Sequence, residues 1–272
     1  MMGKLIKYEM RSAFKRLGVL WLAAFAMLVV NAFLLNYFII EEEYLDIIMD
    51  KMPLVGVMMV TLPIMLVVIT CIAVVLMPFI YIVARFGKGL LGDEGYLMFT
   101  LPVKTRELVL SKAITAFVVQ TISSLVASVP IFVIGALHPK GMADFFSEFF
   151  TIYSEMGVNP VVYTVIVSLT AIVAVIETIF RLYLCMSLGH LAKKHRVAWS
   201  VGAYVGLNYA VGAISACVQL MSTCGYIYNQ MNSDTIRFPM GSLVSGLCCY
   251  IVFVVVEYIL VNHILKKRLN LE

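Results

Sequence analysis

GKGLLGDEGYLMFTLPVKTRELVLSK, residues Gly87 to Lys112, is the longest polar interruption in an otherwise very apolar chain. It carries Lys88, Asp93, Glu94, Lys104, Arg106, Glu107 and Lys112, and long hydrophobic runs flank it on both sides. Such a stretch reads as an aqueous elbow between two membrane helices. Asp93 follows a glycine and is placed to cap a short helix from Glu94 to about Thr100, with Glu94 in the first turn, where a carboxylate meets unpaired N–H groups. Pro102 ends that helix, because the residue before a proline is driven out of the α region. Thr105 then caps the next helix, with Glu107 in its first turn. The short helix sets Tyr96, Leu97 and Phe99 beside acids. Bulky apolar side chains on a polar turn suit a groove in a partner protein. They suit the lipid headgroup layer as well, where aromatic rings reside.

The flanking runs fix the class. Of the 272 residues, 62% are hydrophobic and 13% charged. Soluble domains sit near 45–50% apolar and about 25% charged. The chain is therefore expected to be an all-α integral membrane protein, one helical bundle in a single domain. Six apolar segments cover about 17–40, 54–86, 108–137, 161–191, 198–224 and 241–265. Each exceeds the roughly 20 residues that cross the hydrocarbon core. The first is too long for the core of a cleaved signal peptide and lacks a small-residue cleavage site, so it reads as a retained span. Pro63 and Pro78 predict kinks in the second span. The six cysteines lie in or at the end of apolar runs and form no CxxC, so they read as small hydrophobes.

Ahead of the first span, MMGKLIKYEMRSAFKR (1–16) places Leu5, Ile6, Met10, Ala13 and Phe14 at helical spacing among Lys4, Lys7, Arg11, Lys15 and Arg16. This predicts a basic amphipathic helix on the inner membrane surface. Orientation follows from Lys and Arg. The N-terminal segment, the elbow, the run Lys193, Lys194 and Arg196, and the run Lys266, Lys267 and Arg268 share one side of the predicted topology. Lys51, Lys140 and Arg237 fall on the other. The positive-inside rule then places both termini and the elbow in the cytoplasm.

Two outer segments are more than turns. In GMADFFSEFFTIYSEMG (141–157), Phe145, Phe146, Phe149, Ile152, Tyr153 and Met156 share a helical face opposite Asp144, Ser147, Glu148, Ser154 and Glu155. This predicts a helix on the outer leaflet. Residues 225–240 mix aromatics with turn formers and read as a partial re-entry or an interfacial cap. Gly202 and Gly206 form a GxxxG, a spacing that lets helices approach closely in lipid.

Motifs for chemistry are missing from the sequence. It has no GxxxxGK[ST], HExxH or GxSxG. The four histidines are scattered near span boundaries. The costly residues are Glu177, Arg181 and Glu257, ionisable groups inside predicted spans. Glu177 and Arg181 stand four apart with the acid first, the better order for a local ion pair that braces the bundle. Glu257 has no local base. It is protonated, paired across helices, or exposed to an aqueous cavity.

A basic amphipathic N-terminal helix, six spans and cytoplasmic termini resemble the permease subunits of type-2 ABC transporters. The elbow GDEGYLMFTLPVKTRELVLSK and the opening KLIKYEMR resemble the Gram-positive bacterial type most specifically. The resemblance implies that Asp93, Glu94, Tyr96, Phe99, Pro102 and Arg106 meet a separate ATP-binding subunit, which would hold the ATP and Mg²⁺. This chain would carry no cofactor and no ATPase site of its own. It further implies a second permease copy, as homodimer or heterodimer, in the bacterial cell membrane. Export of an amphipathic or hydrophobic peptide or small molecule is the expected function. Nothing in the layout addresses a nucleic acid. An ion-coupled secondary transporter, with Glu177 and Glu257 as carriers, is the alternative.

Overall fold

The computed structural model describes residues 2–37, 52–91, 105–192, 194–230 and 240–267. Among the described residues eight α-helices follow in order: α1 (Met2–Leu35), α2 (Pro53–Phe86), α3 (Thr105–Ala127), α4 (Val129–Leu137), α5 (Pro139–Glu155), α6 (Pro160–His190), α7 (Arg196–Gln230) and α8 (Met240–Lys267). A π-helical turn, Gly87–Leu91, extends α2. No strand occurs among the described residues. Six stretches are long and apolar enough to cross a membrane: Gly3–Leu35, Leu54–Leu90, Thr105–Leu137, Pro160–His190, Arg196–Ile227 and Met240–Lys266. The described residues are thus all-helical and the chain is a multi-pass membrane protein, with one stretch for each expected span.

The boundaries differ in three places. α1 runs without a break through residue 16, so the basic segment and the first span form one helix. The third stretch divides at Ser128, where α3 gives way to α4. Pro130 explains the division: it supplies no N–H, and its ring crowds the preceding turn. The helix of the fifth span, α7, continues to Gln230, so 225–230 are helical rather than a re-entry; residues 231–239 lie outside the described residues. α2, by contrast, stays helical through Pro63 and Pro78.

Two compact units divide the chain. One comprises Ile6–Ile82 with Val118–Phe146; the other comprises Met1–Leu5, Val83–Phe117 and Ser147–Glu272. In the first, Ala13, Leu17, Trp21, Ala24, Leu28 and Ala32 are buried at helical spacing along α1, while Val19 and Leu22 stay exposed. Exposed apolar residues are costless in lipid, so helices there associate through close packing and internal hydrogen bonds. Trp21 supplies both. It packs with Leu17 and Val119, and its indole Nε1–H donates to Ser123 Oγ at 2.9 Å. Ser123 in turn donates to Val119 O at 3.0 Å. Ser123→Ala would strand the buried indole N–H. It is expected to cost about 1–3 kcal/mol, read as a lower thermal midpoint in detergent, with Ser123→Thr close to wild type.

In the second unit α6 is the central element, packing against α7, α8 and the π-helical turn. The α6–α7 turn is tight. Leu191 N–H donates to Leu188 O at 3.1 Å and Ala192 N–H to Gly189 O at 3.2 Å. His195 takes φ 54°, the left-handed region in which histidine is enriched among non-glycine residues. Gly189 lets α7 come close: a Cβ there would lie 2.8 Å from Arg196 O and 2.8 Å from Ser200 Cβ.

Candidate functional site

α6, α7 and α8 each contribute to one buried polar cluster. Glu177 and Arg181 sit one turn apart on α6, as their spacing predicts, and form an ion pair through Arg181 Nη2. Arg181 Nε–H reaches across to Glu257 Oε1 on α8 at 3.4 Å. Arg181 Nη1–H donates to Asn208 Oδ1 on α7. A guanidinium presents five N–H donors in a fixed planar fork, which is why one side chain can engage three helices. The three charged members are buried: Glu177 is 2% exposed, Arg181 8% and Glu257 4%.

Of the possibilities open for Glu257, pairing across helices is the one observed. Its second oxygen, Oε2, is buried and makes no hydrogen bond among the described residues. Two carboxyl groups therefore share one guanidinium. Asn208 is the member that sequence reading missed. Its signal was an amide inside an apolar span, since such side chains bond across helices in lipid.

Aromatic rings join this cluster to the root of the elbow. Phe86, the last residue of α2, stacks on Tyr183 with centroids 4.0 Å apart and planes at 11°. Tyr183 meets Phe180 edge to face at 6.3 Å, and Phe180 meets Tyr258 on α8 at 5.6 Å. A Cβ at Gly87 would lie 3.1 Å from Met186 Cε. The elbow's start is thus packed onto α6 within about two turns of Arg181.

The elbow itself is described only at its ends. Asp93, Glu94, Tyr96, Phe99 and Pro102 lie outside the described residues. Arg106 is the second residue of α3 and is exposed. Glu107 occupies the first turn of α3, as expected. Leu108 and Val109 are fully buried, and Lys112, which the charge pattern assigns to the water boundary, is 4% exposed. A Cβ at Gly89 would lie 2.7 Å from Lys112 Nζ, so the two ends of the elbow approach closely.

No group of three or more His, Cys, Asp or Glu side chains that could hold a metal ion occurs among the described residues. The cluster pairs acids from two helices with one guanidinium, an arrangement suited to bracing helices. Comparisons with family models, with curated proteins and with solved structures find no match to this chain.

Proposed function

We propose that the chain is the permease subunit of an ATP-driven ABC exporter of the type-2 class, in a bacterial cell membrane with both termini in the cytoplasm. The observation that carries this reading is the Gly87–Lys112 stretch between the second and third spans. It resembles the coupling segment of such permeases, and its start is rooted on α6 through Gly87 and the preceding Phe86. A separate ATP-binding subunit holds ATP and Mg²⁺ and grips Asp93, Glu94, Tyr96, Phe99, Pro102 and Arg106. Its closure moves the elbow, α6 follows, and the Arg181 cluster carries the displacement to α7 and α8, which alternates access to the cargo path. The basic N-terminal turns of α1 lie at the inner surface.

A second permease copy completes the path. α7 supports this, being the least buried of the six spans, with open space where Cβ atoms would stand on Gly202, Gly206 and Gly212. The cargo is an amphipathic or hydrophobic peptide or small molecule. Tyr96→Ala with Phe99→Ala is expected to lower recovery of the ATP-binding subunit with the tagged permease at least several-fold, and unchanged recovery would remove the elbow as the docking site.

One observation favours a second reading, an ion-coupled secondary transporter: the buried, unpartnered Oε2 of Glu257. If it holds, a pH gradient alone drives uptake into sealed vesicles, and Glu257→Gln abolishes it.

A further inference from the structure

α5 ends in a closed corner. Gly157 takes φ 71°, a conformation that favours glycine. Its N–H donates to Ser154 O at 3.0 Å, and Val158 N–H donates to Tyr153 O at 3.0 Å. These two bonds make a Schellman cap, with Val158 buried behind it. The next residue, Asn159, already caps α6: its Oδ1 accepts from Val161 N–H at 3.0 Å, and Pro160 opens the helix. No slack joins the two helices. A ring clamp reinforces the corner, with Tyr153 and Tyr163 at 4.3 Å and Phe149 tilted against Tyr153 at 4.5 Å.

The clamp uses only the middle of the apolar face of α5. No residue of the helix is buried. Phe145 and Ile152 are exposed on one flank of the clamped strip, and Phe146 and Phe150 on the other, with Phe145 61% exposed. Asp144, Glu148 and Glu155 occupy the opposite face by helical spacing. The chain enters α5 two residues after one candidate span ends at Leu137 and leaves it shortly before another begins at Pro160. The helix is therefore held at the membrane boundary. Its open flanks are as apolar and exposed as Val161 in the first turn of the following span. They lie on opposite sides of the clamped strip, so a fluid surface reaches both where a single protein face reaches one. With acids on the polar face, seating depends on apolar area rather than on attraction to anionic lipid.

We propose that α5 is a lipid-seated strut: its aromatic flanks rest in the headgroup–acyl boundary, and the rigid α5–α6 corner fixes the depth of the first turn of α6. This inference stands apart from the transporter reading. It is tested on the full chain in phosphatidylcholine nanodiscs carrying acyl-chain bromine, with Trp21→Phe and Trp199→Phe as background. Phe146→Trp and Ile152→Trp are expected to be quenched by bromine several-fold more than Thr151→Trp, which aqueous iodide should quench instead. Val161→Trp reports α6. Its quenching depth is expected to shift when Gly157→Val strains the corner or Tyr163→Ala removes the clamp. Iodide quenching of both flanks would overturn the proposal. So would flank protection that vanishes at high lipid-to-protein ratio, the mark of a second copy, or a depth at Val161→Trp that neither variant moves.

Discussion

Arg181→Met is expected to cost the α6–α8 unit about 3–5 kcal/mol, because removing one partner of a buried ion pair leaves uncompensated charge behind. Here it would leave two buried carboxyl groups, Glu177 and Glu257, with no cation between them. Asn208 would lose its donor as well. In detergent this should appear as loss of the folded fraction or a large drop in thermal midpoint. Arg181→Lys should recover part of the loss, since one ammonium cannot reproduce a three-way planar fork. The informative control removes every charge together. Glu177→Gln, Arg181→Met and Glu257→Gln in one chain should be far more stable than Arg181→Met alone, because an apolar or neutral replacement of a whole buried ionic cluster is often tolerated. An Arg181→Met chain as stable as the parent would show that the cluster does not brace these helices.

Gly189→Val is expected to have the second largest effect. A Cβ at Gly189 would stand 2.8 Å from the carbonyl oxygen of Arg196 and would overlap Ser200. The first neighbour is backbone and cannot rotate away, so α7 must shift relative to α6. Forcing extra atoms into a packed contact costs about 1–3 kcal/mol, and more where backbone must move. Gly189→Ala should fall at the lower end of that range. Pairing Gly189→Ala with Ser200→Gly should recover some of it, because the overlap with the hydroxyl disappears while the carbonyl contact stays. The readout is again the thermal midpoint, alongside the fraction of protein running as a sharp peak on gel filtration. Gly202→Ala and Gly206→Ala, which meet nothing within 4 Å among the described residues, should leave the isolated chain's stability nearly unchanged.

That contrast between Gly189 and the Gly202–Gly206 pair shows where sequence reading worked and where it stopped. The six spans were legible because a run of about 20 apolar residues has few other uses. The local ion pair of Glu177 and Arg181 was legible because it depends on spacing within one helix. Small-residue spacing drew attention to Gly202 and Gly206, yet the close approach of α7 to α6 falls at Gly189, which belongs to no such motif. Contact between helices depends on how they cross, which one-dimensional spacing does not encode. Asn208 and the link from Arg181 to Glu257 were hidden for the same reason. The division at Ser128 was not legible: Pro130 lies inside an apolar run as Pro63 and Pro78 do, and only around Pro130 does the chain give up its helix. At the N-terminus, the apolar stripe of residues 5–14 continues in register into the buried stripe from Ala13 to Ala32, so one helix serves both.

The proposed function requires a partner that would grip Tyr96 and its neighbours from the cytoplasm. The most direct measurement places a photoreactive benzoylphenylalanine at Tyr96 in living cells and identifies what it captures by mass spectrometry. The expected capture is a polypeptide carrying a GxxxxGK[ST] phosphate loop, at Tyr96 and not at Phe146, which the positive-inside rule assigns to the outer side. Capture of lipid alone at Tyr96, or of a protein outside the cell, would contradict it.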